Sequence, residues 1–347
     1  CVDKHSTGGV GDKVSLTALP LAAACGAPVA KLSGRGLGIT GGTVDKLESI
    51  PGLSCALTEE RFRRQVEEVG LAIAEAGELA PADRAIYALR DATGTVDSLP
   101  LIGSSIVSKK AATGAGHLLY DVKCGSGAFM RTRREARELA GLLVRLSADL
   151  GIRASAVISD MSHPLGRAVG NALEVRESLR FLRGEGAPED LAAVARAVAV
   201  RLLELKGVPE PERAVERALA SGQAYELFAR FVRAQGGDEG ALERLPLSPR
   251  VREVRSPAAG HVERFDALGV GRAALLLGAG RRKKGDPVDH GAGVELLVGP
   301  GERVEEGQAV ARLYGDRDAE RAAGLVAGAL RLSPEPAPPP PAILDSL

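Results

Sequence analysis

Apolar residues along this chain follow two periods, and the change between them predicts where its elements lie. Short runs rich in Val, Ala and Leu, such as "CVDK" at residues 1–4 and "PVAKL" at 28–32, predict buried strands. Residues 12–25 between them have the spacing of a helix. The two kinds of run alternate to about residue 183, which predicts a sheet with crossover helices, an α/β fold.

Later segments extend the same pattern. "HLLYDVK" at 117–123 and "ASAVISD" at 154–160 predict two more buried strands, separated by a helix over 132–150. Residues 98–112 predict a further helix, and the chain is rich in helical spacing from about 171 to 236. We expect these later helices to cover one side of the sheet.

The pattern changes near residue 245, where short alternating segments are separated by Gly and Pro turns. We therefore predict an α/β domain over residues 1–245, helix-rich from 171, and a small β-rich (α+β) domain over 246–347. "PEPAPPPP" at 334–341 predicts an extended connector that holds the last residues against another part of the protein.

Composition limits the possible partners. The 347 residues include 45 basic and 45 acidic side chains, so no overall field favours nucleic acid or an anionic membrane. No apolar run reaches the roughly 18 residues of a membrane span. The four cysteines form no CxxC pair, which favours a reducing cytoplasm. We expect a cytoplasmic protein with neither a membrane nor a nucleic acid as partner.

The first stretch with chemical character is "DKHSTGGVGDK" at residues 3–13. Its glycines follow a predicted strand and precede a predicted helix, so backbone amides can converge there on an anion. Lys4 adds a positive charge and Ser6 a hydroxyl donor. A tight turn in which Asp12 caps the helix explains the same residues equally well. A Walker P-loop is excluded, because Asp12 separates the last glycine from Lys13.

The second stretch, "KLSGRGLGITGGTVDKLE" at residues 31–48, contains a GxGxxG arrangement. A dinucleotide loop usually passes directly from strand to helix, whereas this one is about nine residues long. It offers instead the hydroxyls of Ser33, Thr40 and Thr43 to an oxyanion. We therefore favour an anion site over a dinucleotide site.

The third stretch, residues 90–114, contains three donors suited to a flat polar ligand. On the predicted helix, Ser105 and Lys109 are four residues apart and share a face. Arg90 could join them. Taken singly, each is explained more simply as a solvated surface side chain.

Taken together and in order, "KHSTGGVGD", "SGRGLGITGGTVDKLE", "APAD", "RDATGTVDSLP" and "DVKCGSGAF" resemble the pyrimidine-nucleoside phosphorylases. "GAGRRKKGDPVDHGAG" at 278–293 is similar to the family's C-terminal domain, so the resemblance covers nearly the whole chain. It implies a large mixed sheet with flanking helices, followed by a small C-terminal α+β domain. It also implies reversible phosphorolysis, in which inorganic phosphate attacks C1′ of a pyrimidine nucleoside and releases base and sugar 1-phosphate.

The resemblance also implies roles for single residues. His5 would lie near the pyrimidine O2 as general acid or hydrogen-bond donor. The phosphate ligands would be Lys4, Ser6, Ser15, Ser33 and Thr43. The nucleoside-binding residues would be Arg90, Ser105 and Lys109 at the polar edge of the base, Leu37 and Phe129 packed around it, and Lys31, which favours acceptance of uridine as well as thymidine.

No metal or cofactor is expected beyond phosphate as co-substrate. Many relatives have histidine where this chain has Ile39, so no role of that histidine transfers. Lys13 occupies a position that is often threonine beside a bound monovalent cation in bacterial relatives. We hypothesise that the Lys13 ammonium replaces that cation.

The family's N-terminal helical domain is largely absent from these residues, and Cys1 already belongs to a predicted strand. We expect that an upstream segment has been removed, and that the protein is a homodimer through that domain. Hinge closure would then bring phosphate and pyrimidine contacts together.

Two other functions fit parts of the sequence. A phosphoribosyltransferase of the anthranilate type has a similar fold and glycine-rich anion loops, but needs acidic ligands for magnesium. Asp45 and Glu48 could supply them, although the helix dipole explains both residues as well. A non-catalytic phosphate- or nucleoside-binding module is the second alternative.

Overall fold

The computed structural model describes residues 1–76, 98–336 and 338–347. The predicted strands and helices up to residue 160 are confirmed, with small shifts at their ends. In chain order they and their neighbours are β1 (Val2–Ser6), α1 (Val14–Ala24), β2 (Val29–Ser33), α2 (Thr43–Leu47), α3 (Glu59–Val69), β3 (Leu71–Glu75), α4 (Leu99–Ala112), β4 (His117–Cys124), α5 (Arg133–Asp149) and β5 (Arg153–Asp160).

These strands form one mixed sheet, which an additional strand β13 (Ile343–Ser346) completes at its edge. The order is β13-β5-β4-β1-β2-β3, with β1 to β5 parallel and β13 antiparallel to β5. The backbones of Leu347 and Ala156 exchange hydrogen bonds of 2.8 and 2.9 Å. The prediction that the connector holds the last residues against another part of the protein is confirmed.

Alternation along the central strands sends side chains to opposite faces of the sheet. On β4, Tyr120 and Val122 pack with the helices α4 and α5, whereas Leu119 belongs to the core on the other face. The four helices that cover that other face beside α1 are α6 (Asn171–Leu182), α7 (Glu189–Lys206), α8 (Pro211–Ala220) and α9 (Gln223–Ala234). They confirm the predicted helix-rich layer, and α1 is buried beneath it.

The C-terminal region is an α+β structure. Its elements are β7 (Val251–Arg255), β8 (Gly260–Phe265), α10 (Ala267–Leu277), β9 (Gly293–Leu296), β10 (Arg303–Val304), β11 (Ala309–Tyr314), α11 (Ala319–Ala329) and β12 (Leu330–Ser333). A strand from the first region, β6 (Ala168–Val169), joins the antiparallel order β6-β9-β11-β7, beside a second sheet β10-β8-β12. The N-terminal region thus supplies the edge strand β6 to the C-terminal sheet, and the C-terminal region supplies the edge strand β13 to the mixed sheet. Across the described ranges, no helix is both long and apolar enough to span a membrane.

Candidate active site

Two glycine-rich loops lie side by side at the carboxyl edge of the mixed sheet. The first joins β1 to α1 and the second joins the neighbouring strand β2 to α2. Gly8 has a left-handed φ of +88°, and a Cβ built there would lie 3.7 Å from the Thr40 side chain. Lys46 fastens the two loops, because its Nζ donates to the Asp12 carbonyl at 2.5 Å and pairs with Glu174 at 2.7 Å. Parallel strands thus bring the first two stretches of the sequence together.

The second loop closes on itself. A Cβ built on Gly42 would lie 2.1 Å from the backbone nitrogen of Gly36, so no larger residue fits there. This closure produces a compact loop over residues 34–42 rather than the direct strand-to-helix turn of a dinucleotide site. The arrangement agrees with the preference for an anion site.

Lys4 is fully buried beside two carboxylates, one of them in the first loop. Its Nζ lies 3.1 Å from Oδ2 of Asp121 and 4.0 Å from Oδ1 of Asp12, and has no hydrogen-bond partner in the part of the chain that the structure describes. Lys123 lies beside it, 2.7 Å from Asp121 and donating to Ser159 at 3.0 Å. Burial lowers the pKa of Lys123, but Asp12 and Asp121 outweigh burial and raise it. The Lys4 ammonium is thus neutralised yet retains unused donors.

Ser6 donates its hydroxyl proton to Asp12. Burial alone would raise the pKa of Asp12, but Lys123 and Lys4 hold it well below its usual value, with a smaller contribution from Lys46. Asp12 is therefore a carboxylate at neutral pH. A serine has one donor, so Ser6 can donate to phosphate only after turning away from Asp12.

The remaining predicted phosphate ligands reach the same edge of the sheet. Ser15 lies in the first turn of α1, where it is buried, and Ser33 is the last residue of β2. Thr43 is the first residue of α2. The structure thus gathers the predicted ligands at two adjacent strand ends and two helix starts.

His5 faces the opposite side of β1 from Lys4, towards α4. Its ring centroid lies 6.4 Å from that of Tyr120, edge to face, in the core that α4 covers. On α4, Lys109 Nζ is 3.5 Å from Ser105 Oγ. Burial holds the pKa of His5 well below its usual value, reinforced by surrounding lysines, of which Lys110 contributes most. The imidazole is therefore neutral near pH 7 and can donate one hydrogen bond.

Asp3 neutralises part of this positive charge. Its carboxylate lies 2.7 Å from Lys110 Nζ, accepts the backbone N–H of Lys4 at 2.6 Å, and is 4.0 Å from Lys31 Nζ. The Lys31 ammonium is buried and donates to the Lys4 carbonyl at 2.6 Å. Burial lowers its pKa, and Lys110 adds to that effect. Lys31 thus supports the strand that carries Lys4 and His5.

The residues predicted to pack around the base are open to solvent. Leu37 is 45% exposed in the second loop, and Phe129 is 54% exposed in the turn after β4. Arg90, the third predicted contact at the polar edge of the base, lies outside the described residues. The sequence analysis missed Asp3, Asp121 and Lys123, although charged residues inside the apolar runs "CVDK" and "HLLYDVK" were a usable signal.

Lys13 is fully buried among oxygen atoms. Its Nζ is 2.7 Å from Oε2 of Glu177 and donates to the Leu165 carbonyl at 2.5 Å. Carboxylate and carbonyl oxygens are the groups that would surround a bound monovalent cation, so the ammonium occupies a cation-like environment.

Asp45 and Glu48 are each paired with an arginine. Asp45 accepts the Gly36 amide at 2.6 Å and pairs with Arg281 at 2.8 Å, while Glu48 pairs with Arg35. Carboxylates neutralised in this way are poor candidates for magnesium ligands. The geometry therefore disfavours the phosphoribosyltransferase alternative.

Two family models together span most of the chain. A model described as the a/b domain of a glycosyl transferase family matches residues 1–225, and a pyrimidine nucleoside phosphorylase C-terminal domain matches 261–333. The chain belongs to the pyrimidine-nucleoside phosphorylase family. It is thus an enzyme of the pentosyltransferase type, and both the resemblance found in its sequence and the fold expected from it are confirmed.

Individual relatives agree with this membership. Thymidine phosphorylase of Mycobacterium tuberculosis (strain CDC 1551 / Oshkosh) is 51% identical over 313 residues, covering 90% of this chain and 72% of the relative. Pyrimidine-nucleoside phosphorylase of Bacillus subtilis (strain 168) is 46% identical over 325 residues, covering 91% and 75%. Anthranilate phosphoribosyltransferase from Thermus thermophilus is similar in fold alone, with 24% identity, a TM-score of 0.51, and coverage of 67% of this chain and 77% of that one.

Proposed function

We propose that this member of the family catalyses the reversible phosphorolysis of thymidine, uridine and deoxyuridine in pyrimidine salvage. The observation that carries the proposal is that two adjacent residues of strand β1 face opposite sides of the sheet. Lys4 places a buried ammonium with unused donors beside Asp12 of the first glycine-rich loop, while the adjacent His5 faces the helix that carries Ser105 and Lys109. Two reactants that meet at C1′ need two such neighbouring half-sites.

In the proposed reaction, Lys4, Ser6, Ser15, Ser33 and Thr43 bind inorganic phosphate. A phosphate oxygen attacks C1′ while the bond from C1′ to the base nitrogen breaks, and its electron pair leaves with the base. Negative charge then develops on the pyrimidine. Neutral His5 donates a hydrogen bond to O2, and Lys109 and Arg90 stabilise the same charge at the other polar edge.

The proposed substrate range rests on Lys31 and on the exposed apolar side chains. Leu37 and Phe129 offer uncovered faces to a flat base. Lys31 acts through β1, because its ammonium is bonded to the Lys4 carbonyl. We place the protein in the cytoplasm, as its four free cysteines favour, and propose that it works as a homodimer.

We also propose that Lys13 makes an added monovalent cation unnecessary. The buried ammonium between Glu177 and the Leu165 carbonyl supports this, because it supplies the charge that a cation would bring. Activity should be the same in sodium and in potassium buffers. In Lys13→Thr, potassium should restore part of the lost activity, and a parent enzyme that requires potassium would contradict the proposal.

The direct test follows release of base from thymidine and from uridine by the full-length protein, with and without inorganic phosphate. Release that depends on phosphate, with a sugar 1-phosphate as second product, is the expected result. The ratio of the two rates tests the substrate range. Release without phosphate would indicate a hydrolase, while dependence on magnesium and a diphosphate sugar would restore the phosphoribosyltransferase alternative. No release would favour a binding module.

A further inference from the structure

The C-terminal region reaches the second glycine-rich loop through one residue. Arg281, just beyond the end of α10, places its Nη1 2.8 Å from Oδ1 of Asp45. Its own carbonyl accepts the backbone N–H of Gly38 at 2.8 Å. Both the side chain and the backbone of Arg281 therefore hold a loop that begins at Ser33, some 250 residues earlier in the sequence.

Asp45 connects Arg281 to the start of the loop. It is 2% exposed, and its second oxygen, Oδ2, accepts the backbone N–H of Gly36 at 2.6 Å. Arg281 Nη1 is also 3.4 Å from the Gly36 carbonyl. The Arg281 guanidinium thus contacts the carbonyl of Gly36, and the Asp45 carboxylate accepts its N–H.

Arg35 does not duplicate this function. Its Nη1 lies 3.6 Å from Asp45, but its closer partners are Glu48 and Glu75, and its side chain is 37% exposed. The Arg281 side chain is 13% exposed and has the shorter contact. Arg281 is therefore the principal cation facing Asp45.

The segment that carries Arg281 is itself held in place. Asn171, the first residue of α6, donates its side-chain amide to the Ala279 carbonyl at 3.0 Å. A Cβ built on Gly280 would lie 3.0 Å from the Gly38 carbonyl, so the two backbones touch. The guanidinium thus projects from a fixed support.

We propose that Arg281 is a positioning residue that the C-terminal domain contributes to the phosphate site. This inference rests on the proposed function, because Ser33 and Thr43, at the two ends of the loop, are proposed phosphate ligands. Arg281 keeps these hydroxyls at the separation that phosphate requires, without touching phosphate itself. The small domain is then a working part of the site.

The test compares Arg281→Gln with Arg281→Lys and with a matched control, Arg282→Gln. Arg282 is the next residue, and it pairs instead with Asp318 at 2.9 Å in an exposed contact. In Arg281→Gln the KM for phosphate should rise about tenfold or more, because the buried carboxylate of Asp45 loses the cation that lies 2.8 Å from it. The KM for nucleoside should change less. Arg281→Lys should recover part of the loss, and Arg282→Gln should match the parent.

Amide hydrogen exchange provides a readout that does not depend on activity. The amides of Gly36 and Gly38 should exchange faster in Arg281→Gln than in the parent and in Arg282→Gln, while the amides of β1 should keep their protection. An unchanged phosphate KM, or a KM effect shared equally by Arg282→Gln, would overturn the proposal. So would unchanged exchange at both glycines. If the parent lacks phosphorolysis, the proposed function fails, and the exchange data alone would then decide whether Arg281 holds the loop.

Discussion

The two faces of strand β1 handle positive charge in different ways. On the face of Lys4, the ammonium groups of Lys4 and Lys123 are matched by the carboxylates of Asp12 and Asp121. On the face of His5, the carboxylate of Asp3 lies 2.7 Å from Lys110 and 4.0 Å from Lys31. Within the described residues, Lys4 and Lys123 each have a carboxylate within 3.1 Å, whereas Lys110 and Lys31 share Asp3.

This difference fits the two proposed ligands. Phosphate arrives already charged, and before it binds, despite burial, Asp12 and Asp121 raise the pKa of Lys123, the neighbour of Lys4. The pyrimidine is neutral when it binds and becomes negative only as the bond to C1′ breaks. A positive charge close to the base therefore stabilises the transition state more than the bound substrate, as catalysis requires.

Removal of the Lys4 ammonium should have the largest effect. In Lys4→Gln, kcat/KM for phosphate should fall about 10³-fold, since a buried charge that faces both Asp121 and phosphate is lost. Steady-state rates over a range of phosphate concentrations measure this. Asp121 keeps its contact with Lys123 at 2.7 Å in Lys4→Gln, so the melting temperature should fall much less than the rate. A near-normal rate in Lys4→Gln would show that Lys4 serves folding alone.

Asp3→Asn tests the face of His5, where Lys110 and Lys31 share one carboxylate. Lys110 would lose its carboxylate partner at 2.7 Å while Lys31 stays buried beside it, so the free energy of unfolding should fall by about 3 kcal/mol. Urea unfolding measures the change. Adding Lys110→Met should recover much of it. An unchanged free energy of unfolding in Asp3→Asn would mean that Asp3 is not needed to neutralise the lysines of this face.

His5→Ala should lower kcat by about 10²-fold, because one hydrogen-bond donor to the developing base anion is lost. His5→Gln keeps an N–H and should lose less. The low pKa of His5 predicts that the parent shows no acid limb near pH 6.5 from this residue. A limb at that pH which disappears in His5→Gln would show that His5 transfers a proton as an imidazolium.

The same pKa predicts a direction for stability. The folded protein keeps His5 neutral, while the unfolded chain binds a proton below about pH 6.5, so stability falls as pH drops below that value. His5→Gln should reduce this loss in urea unfolding measured at pH 7 and pH 5.5. Equal pH dependence in parent and variant would contradict a depressed pKa.

How much of this could be read from the sequence depends on the kind of contact. Strands β1 and β2, their loops and helix α4 follow from local periodicity and glycine placement, whereas the set of phosphate ligands is implied by the family resemblance. The partners of those ligands are non-local. Asp121 lies more than a hundred residues from Lys4, and Arg281 lies still further from Asp45. Periodicity places such residues on strands and loops but does not say which of them meet.

The Lys31 ammonium illustrates the same limit. Its position suggested contact with substrate, but the β1–β2 pairing turns the ammonium onto the Lys4 carbonyl. Conversely, the acidic residues of "CVDK" and "HLLYDVK" looked like parts of ordinary strands, and only strand order shows that they neutralise lysines on either side of β1. The pairing of these carboxylates with lysines on the two faces is thus a property of topology.

Ser6→Ala should have the smallest effect and the most specific one. The Ser6 hydroxyl already donates to Asp12. Because it must give up that hydrogen bond to donate to phosphate, its net contribution to the free energy of phosphate binding is small. We expect the KM for phosphate to rise only about fivefold, the typical effect of losing one neutral hydrogen bond. Ser6→Thr, which keeps the hydroxyl, is the matched control. A loss of phosphate binding as large as that in Lys4→Gln would contradict this expectation. It would mean that the Ser6 hydroxyl leaves Asp12 without a cost in free energy when phosphate binds, so that Asp12 does not restrain Ser6.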